Sequence, residues 1–183
     1  MKVLVTAASK HGATAEIATV IGDVLATQSI EVDILPPDDV ERVDAYDAVV
    51  LGSGVYAGHW LKPAKAFIER NETALRERPV FLFSSGPIGE PPKESDEPAE
   101  ARSADESTGA IDHRVFGGRL TASQLGPFEK LVIRMVKAPL ADDRAWDEIA
   151  DWAREIAAFL REESGAPPAE KPRAEPAVAV PVT

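Results

Sequence analysis

No cysteine occurs among the 183 residues, which excludes disulfides, thiolate catalysis and cysteine-ligated zinc or iron–sulfur centres. Basic residues are also few: 20 Lys and Arg stand against 31 Asp and Glu, a formal net charge of −11. A phosphate backbone needs clustered cations, so a general nucleic-acid partner is excluded. Met1 runs directly into a strand, with no charged segment followed by an apolar core of the kind a leader has, and no apolar run reaches bilayer length. We therefore expect a cytoplasmic protein without a transmembrane segment. Any anionic ligand has to be held by local dipoles and hydroxyls against an overall negative field.

What the chain does carry is an alternation of strand and helix. Val3-Leu4-Val5 opens as a strand, and Ile17, Ile21, Val24 and Leu25 recur at helical spacing, which predicts a helix over about 13–28. Glu31 to Leu35 reads as a short strand stopped by Pro36-Pro37, with a brief helical turn around 39–43 after it. Tyr46-Asp47-Ala48-Val49-Val50-Leu51-Gly52 predicts a strand covered on both faces. Leu61, Ala64, Phe67, Ile68 and Leu75 mark the next helix, with Pro63 tolerated in its first turn. Pro79 to Phe83 predicts a further buried strand.

The later chain is less regular. Residues 90–109 turn acidic and proline-bearing with no hydrophobic period, which predicts a long surface excursion, with room for one helical turn. His113 to Gly117 predicts the last strand. Phe128, Leu131, Val132, Met135 and Val136 share an apolar side of 126–138, expected to pack on the sheet. Asp143 is expected to cap a final helix with Trp146, Ile149, Trp152, Ile156, Phe159 and Leu160 on its apolar face, both tryptophans in the core. Residues 1–162 are thus expected to form one α/β domain: a doubly wound sheet of five parallel strands, order 2-1-3-4-5, helices on both faces. Residues 163–183, with Pro167, Pro168, Pro172, Pro176 and Pro181, are expected to be a disordered tail.

Three loops at strand C-termini share one chemistry. The first, Ser9-Lys10-His11-Gly12-Ala13-Thr14, joins a strand to a helix. Unsatisfied N–H groups and the positive end of the helix dipole suit a phosphate there. Ser9, His11 and Thr14 offer side-chain donors, and Gly12 lets the backbone approach closely. This loop is neither a Walker loop, which closes on Gly-Lys-Ser/Thr, nor a Gly-x-Gly-x-x-Gly turn. The second loop is Ser53-Gly54-Val55-Tyr56-Ala57-Gly58-His59-Trp60, and the third is Ser84-Ser85-Gly86-Pro87-Ile88-Gly89. Strand C-termini of an open parallel sheet form the crevice where ligands sit, so repetition of small and hydroxyl residues on that edge points to one site.

Two other chemistries on this topology fail on their residues. A phosphoacceptor domain needs paired acids after the first strand, where Thr6-Ala7 stand, and an Asp ending the third, where Gly52-Ser53 stand. A serine hydrolase needs Gly-x-Ser-x-Gly, whereas Ser53 has glycines immediately on both sides.

With the loops in place, the chain resembles flavodoxin-like proteins, and among them the flavodoxin-type, menaquinone-dependent protoporphyrinogen oxidases. The resemblance rests on Ala8 to Thr14, on Tyr46 to Gly52 with the loop to His59, on Phe116-Gly117-Gly118-Arg119-Leu120, and on the tryptophan-bearing last helix. It implies FMN as cofactor: the first loop takes the phosphate, and the second and third sandwich the isoalloxazine ring. Tyr56 or Trp60 is then expected against one face of that ring, with backbone groups of Ser85 to Gly89 on the other side. His11 and His59 are candidates for contacts to the phosphate and the ring, and His113 is expected to be structural. The implied activity is flavin-mediated electron or hydride transfer with a small-molecule or protein redox partner, a quinone or a porphyrinogen among the candidates. A competing reading keeps the fold as an interaction or regulatory module that has lost FMN.

Overall fold

The computed structural model describes residues 1–56, 58–86, 99–119 and 144–165. Along the chain these form β1 (Lys2–Ala8), α1 (Ala13–Thr27), β2 (Glu31–Leu35), β3 (Ala48–Tyr56), β4 (His59–Trp60), α2 (Lys62–Arg76), β5 (Val80–Ser85), α3 (Ala99–Thr108), β6 (Asp112–Phe116) and α4 (Trp146–Ser164). Five parallel strands run in the spatial order β2-β1-β3-β5-β6, and β4 pairs antiparallel with the end of β3. Counting the parallel strands alone, this is the 2-1-3-4-5 order expected from the sequence. The sixth strand is a two-residue hairpin arm.

Period-two alternation decides which helices cover which face. Val3, Val5, Ala48, Val50, Phe81 and Phe83 point to the side packed by Ile17, Ile21 and Leu25 of α1 and by Ile149, Trp152, Ile156 and Leu160 of α4. Leu4, Val49, Leu51, Val80 and Leu82 point to the other side, under Phe67, Ile68 and Leu75 of α2 and Ala101 and Ala104 of α3. Full burial of side chains such as Ile17 and Ile21 contributes roughly 2 kcal/mol each. On the first side Phe83, Phe116 and Trp152 form an aromatic cluster, with ring centroids 5.6 to 6.2 Å apart. Phe83 lies opposite Gly52 in register and fills the space a side chain would take there: a Cβ on Gly52 would stand 2.0 Å from the ring.

Several expectations are corrected. β3 does not stop at Gly52 but runs on to Tyr56, because its end pairs with β4. The helical turn after Pro36 is a 3₁₀ turn at Pro37–Asp39 rather than at 39–43. The acidic excursion contains a ten-residue helix, α3. Its buried positions are Ala101, Ala104 and Thr108, too small for a hydropathy pattern to register. Trp146 is not core: it is 38% exposed at the start of α4, under the Arg144 guanidinium, whereas Trp152 is buried and donates to Asp112 Oδ2 at 2.7 Å. The start of α4 shows no side-chain cap, its N-cap being Ala145. Asp143, the apolar segment 126–138 and the residues beyond 165 lie outside the described residues.

Candidate functional site

Parallel register places the three sequence-predicted loops at one level of one sheet edge. Ala8 lies opposite Ser53, Gly54 opposite Ser85, and Ser85 opposite Phe116. Chain leaving β1, β3 and β5 therefore opens onto a common border, where β1 gives way to the start of α1. Gly12 is the N-cap of that helix in the left-handed conformation, φ 84°, and no side chain caps it. The first-turn N–H groups thus lack the side-chain acceptor that a Ser or Asp cap supplies. In the same loop the Ser9 hydroxyl is buried and has no hydrogen-bond partner among the described residues, and neither has Thr6 Oγ1 below it on β1. An orphaned hydroxyl beside an uncapped helix start is the donor set that an anion completes. Ala13 and Thr14 are buried, and Thr14 Oγ1 is 3.0 Å from the place of a Cβ on Gly54. That contact explains the glycine: any side chain at 54 crowds the first loop.

The second loop is partly structural. Ser53 is fully buried, accepts the Leu61 N–H at 3.0 Å and donates to the Gly54 carbonyl at 3.1 Å, which closes the β3–β4 hairpin. Val55 pairs with Trp60, and Tyr56 with His59; Gly58 takes the positive φ of 80° that the turn requires. Of the two aromatics proposed for a ring face, Tyr56 is exposed at the strand end, but Trp60 is 2% exposed. The Trp60 indole N–H donates to Ser84 Oγ at 2.8 Å. Trp60 is therefore a buried support of the hairpin, and of the pair Tyr56 or Trp60 it is Tyr56 that stands at the surface. Tyr56 is met by the first loop: its hydroxyl is 3.4 Å from His11 Nε2, and Lys10 Nζ stands 4.0 Å from its ring centroid.

The third loop begins equally engaged. Ser84 accepts from Trp60 and lies 3.0 Å from His113 Nε2, which confirms a structural place for His113 on β6. An indole N–H only donates, so Ser84 Oγ is its acceptor, and the direction of the Ser84–His113 bond follows the imidazole tautomer. Ser85 is buried, and Gly86, φ 123°, donates its N–H to the Phe116 carbonyl at 3.0 Å. Ala57, Pro87, Ile88 and Gly89 lie outside the described residues.

Charged groups that no motif announced surround this edge. His59 Nδ1 is 2.7 Å from Glu100 Oε1, with Lys65 Nζ at 3.6 Å from the same oxygen, so the acidic helix α3 is latched to the hairpin. Burial pushes the Glu100 carboxyl up, but the His59 hydrogen bond, a backbone N–H and the Lys65 charge together hold it below its ordinary value. On the other flank, Glu16 in the first turn of α1 meets Arg144 Nη1 at 2.6 Å and Arg119 Nη2 at 2.5 Å. The Arg144 hydrogen bond, against some burial, keeps the Glu16 carboxyl below its ordinary value. Arg119 belongs to a stretch that carries the family resemblance. Arg144 had no signal at all, since its partner is 128 residues away. Among the described residues no cluster of His, Asp and Glu has the make-up of a metal site, and no helix is long and apolar enough to cross a membrane.

Comparison with known proteins agrees with this architecture. Protoporphyrinogen IX dehydrogenase [quinone] of Escherichia coli K12 is 23% identical over 172 residues, covering 86% of this chain and 95% of that protein. A flavodoxin from the domain Archaea superposes with a TM-score of 0.58 at 18% identity, over 88% of this chain and 99% of its own. Oxidised flavodoxin 1 of Bacillus cereus gives 0.60 at 15% identity, over 87% and 99%. The flavodoxin-domain family model matches residues 4–146, and the chain therefore belongs to the flavodoxin domain family.

Proposed function

We propose that this protein binds FMN along the edge formed by the ends of β1, β3 and β5, and serves as an FMN-dependent oxidoreductase related to the protoporphyrinogen dehydrogenases. The observation that carries the reading is the first loop: the uncapped start of α1 at Gly12 next to the buried, unpartnered hydroxyl of Ser9. Backbone N–H groups of residues 12–14 and the Ser9 hydroxyl are the donors for the phosphate, with Lys10, His11 and Thr14 beside them. Tyr56 is the exposed aromatic at the border, suited to the ring, and Ser85 and Gly86 at the end of β5 are the groups for its other side. Bound FMN supplies one- and two-electron transfer, so the polypeptide needs no nucleophile. Its task is to hold the phosphate, orient the ring and limit water around it.

A quinone and a porphyrinogen are the candidate partners, because the Escherichia coli relative is named for both. Acid on α3 does not by itself bar a propionate-bearing porphyrinogen. Glu100, the α3 carboxylate nearest the hairpin, is already matched by His59 and Lys65.

The test is a visible absorption spectrum of the purified protein after incubation with FMN and desalting. Flavin bands at close to one FMN per chain are expected. A protein that retains no flavin even from excess FMN overturns the reading, and the cofactor-free interaction module takes its place.

A further inference from the structure

The Arg144 side chain is 2% exposed. Its Nη1 donates to Glu16 Oε2 at 2.6 Å and lies 3.5 Å from the Ala13 carbonyl, while the guanidinium stacks 4.3 Å above Trp146. Arg119 Nη2 takes the other oxygen, Glu16 Oε1, at 2.5 Å. Two cations from more than a hundred residues further along the chain thus converge on one carboxylate in the first turn of α1. Glu16 donates its own N–H to the Gly12 carbonyl at 2.9 Å, so this cluster is one helical turn from the loop of residues 9–14.

A lone carboxylate in a first helical turn is favourable with the helix dipole. By the same physics it competes with any phosphate drawn to that dipole, and it repels a dianion. One guanidinium is enough to neutralise it, and here two share it. Sequestering Arg144 from water is costly unless its charge is matched by good hydrogen bonds, which Glu16 and the Ala13 carbonyl provide. In a chain of net charge −11, this masks an acid where an anion needs it masked.

We propose that Arg144, with Arg119, sets the preference of the site for a phosphorylated flavin over the neutral riboflavin by masking Glu16. Both are specificity-determining residues that act through Glu16 and the field at the start of α1. The proposal rests on the flavin site proposed above and adds to it the source of its charge selection.

The experiment compares FMN with riboflavin, which differ by the phosphate alone, through quenching of flavin fluorescence by wild type and variants. Arg144→Gln is expected to weaken FMN about tenfold and riboflavin less than about threefold. Glu16→Gln is expected to tighten FMN about threefold and leave riboflavin unchanged. The double variant Glu16→Gln, Arg144→Gln is expected to bring FMN back to within about threefold of wild type. Equal losses for both flavins in Arg144→Gln, or a double variant no better than Arg144→Gln, overturn the proposal and make the cluster a packing staple. If Arg144→Gln does not fold, the pair Glu16→Gln and Arg119→Gln decides: opposite movements of the FMN-to-riboflavin ratio support the proposal, and an unmoved ratio overturns it. A wild type that binds the two flavins equally removes this inference and leaves the flavin site standing. A wild type that binds neither removes the site itself.

Discussion

The loop after β1 and the loops after β3 and β5 are built from the same small and hydroxyl residues, yet the structure uses them differently. Ser53 and Ser84 are engaged within the protein: one closes the β3–β4 hairpin on Leu61 and Gly54, the other links Trp60 to His113. The Ser9 hydroxyl is buried with no partner among the described residues. A hydroxyl whose bonds are already made contributes to stability, whereas a buried one without them costs free energy until something binds. Composition alone does not separate the two kinds of loop. The location of the hydrogen bonds does: it makes one region scaffold and leaves the other as the proposed receptor.

Breaking the scaffold should therefore show in stability. The largest effect is expected at Gly52→Ala, whose new Cβ meets the fully buried Phe83 ring at 2.0 Å. Phe83 is held by Phe116 and Trp152 and has little room to turn, so overpacking is expected to cost about 3 kcal/mol. Urea denaturation checks it; a midpoint unchanged from wild type shows that the aromatic cluster yields more easily than its packing implies.

The comparison itself is sharpened by one substitution on each side. Ser84→Ala leaves the buried Trp60 N–H without its acceptor and is expected to cost about 2 kcal/mol. Ser9→Ala removes a hydroxyl that has no partner, so stability is expected to hold or to rise slightly, while FMN affinity falls by about 1 kcal/mol, the worth of one hydrogen bond. Thermal melts and flavin titration on both variants separate the outcomes. A Ser9→Ala variant as destabilised as Ser84→Ala erases the distinction between scaffold and receptor.

How far the sequence carried follows from the range of the forces involved. The five parallel strands, α1 and α2 were legible because Val3 to Val5, Ala48 to Leu51 and the Ile17-Ile21-Leu25 spacing are local apolar patterns. The three loops were legible because they follow such strands directly. α3 was not: a helix seated on Ala101, Ala104 and Thr108 has no large apolar stripe to detect. Trp146 was misjudged as core, and the choice between Tyr56 and Trp60 as ring neighbour stayed open. Burial depends on contacts that hydropathy does not record: Ser84, 24 residues away, and the sheet hold Trp60 inside, while Trp146 stays at the surface under Arg144. Glu16 shows the same limit, since its partners are over a hundred residues away.

That long-range cluster also gives the receptor region a pH response that the neutral contacts of Ser53 lack. Arg144 in the first place, opposed by burial and aided by Arg119, lowers the Glu16 carboxyl from an ordinary value of 4.5. A carboxyl lowered in the folded state contributes stability that is fully present above its unfolded value and is lost as pH falls through the folded one. Glu16→Gln is neutral at every pH, so wild type is expected to melt above this variant at about pH 6, with the gap closing towards about pH 3. The gap is expected to be the smallest of these effects, because 46% of the Glu16 side chain is exposed and its charge is screened. Melting curves of the two proteins across that range decide it. A gap of constant size shows that Glu16 acts by packing alone; a closing gap shows that its charge, held by two arginines, is what ties the end of the chain to the first turn of α1.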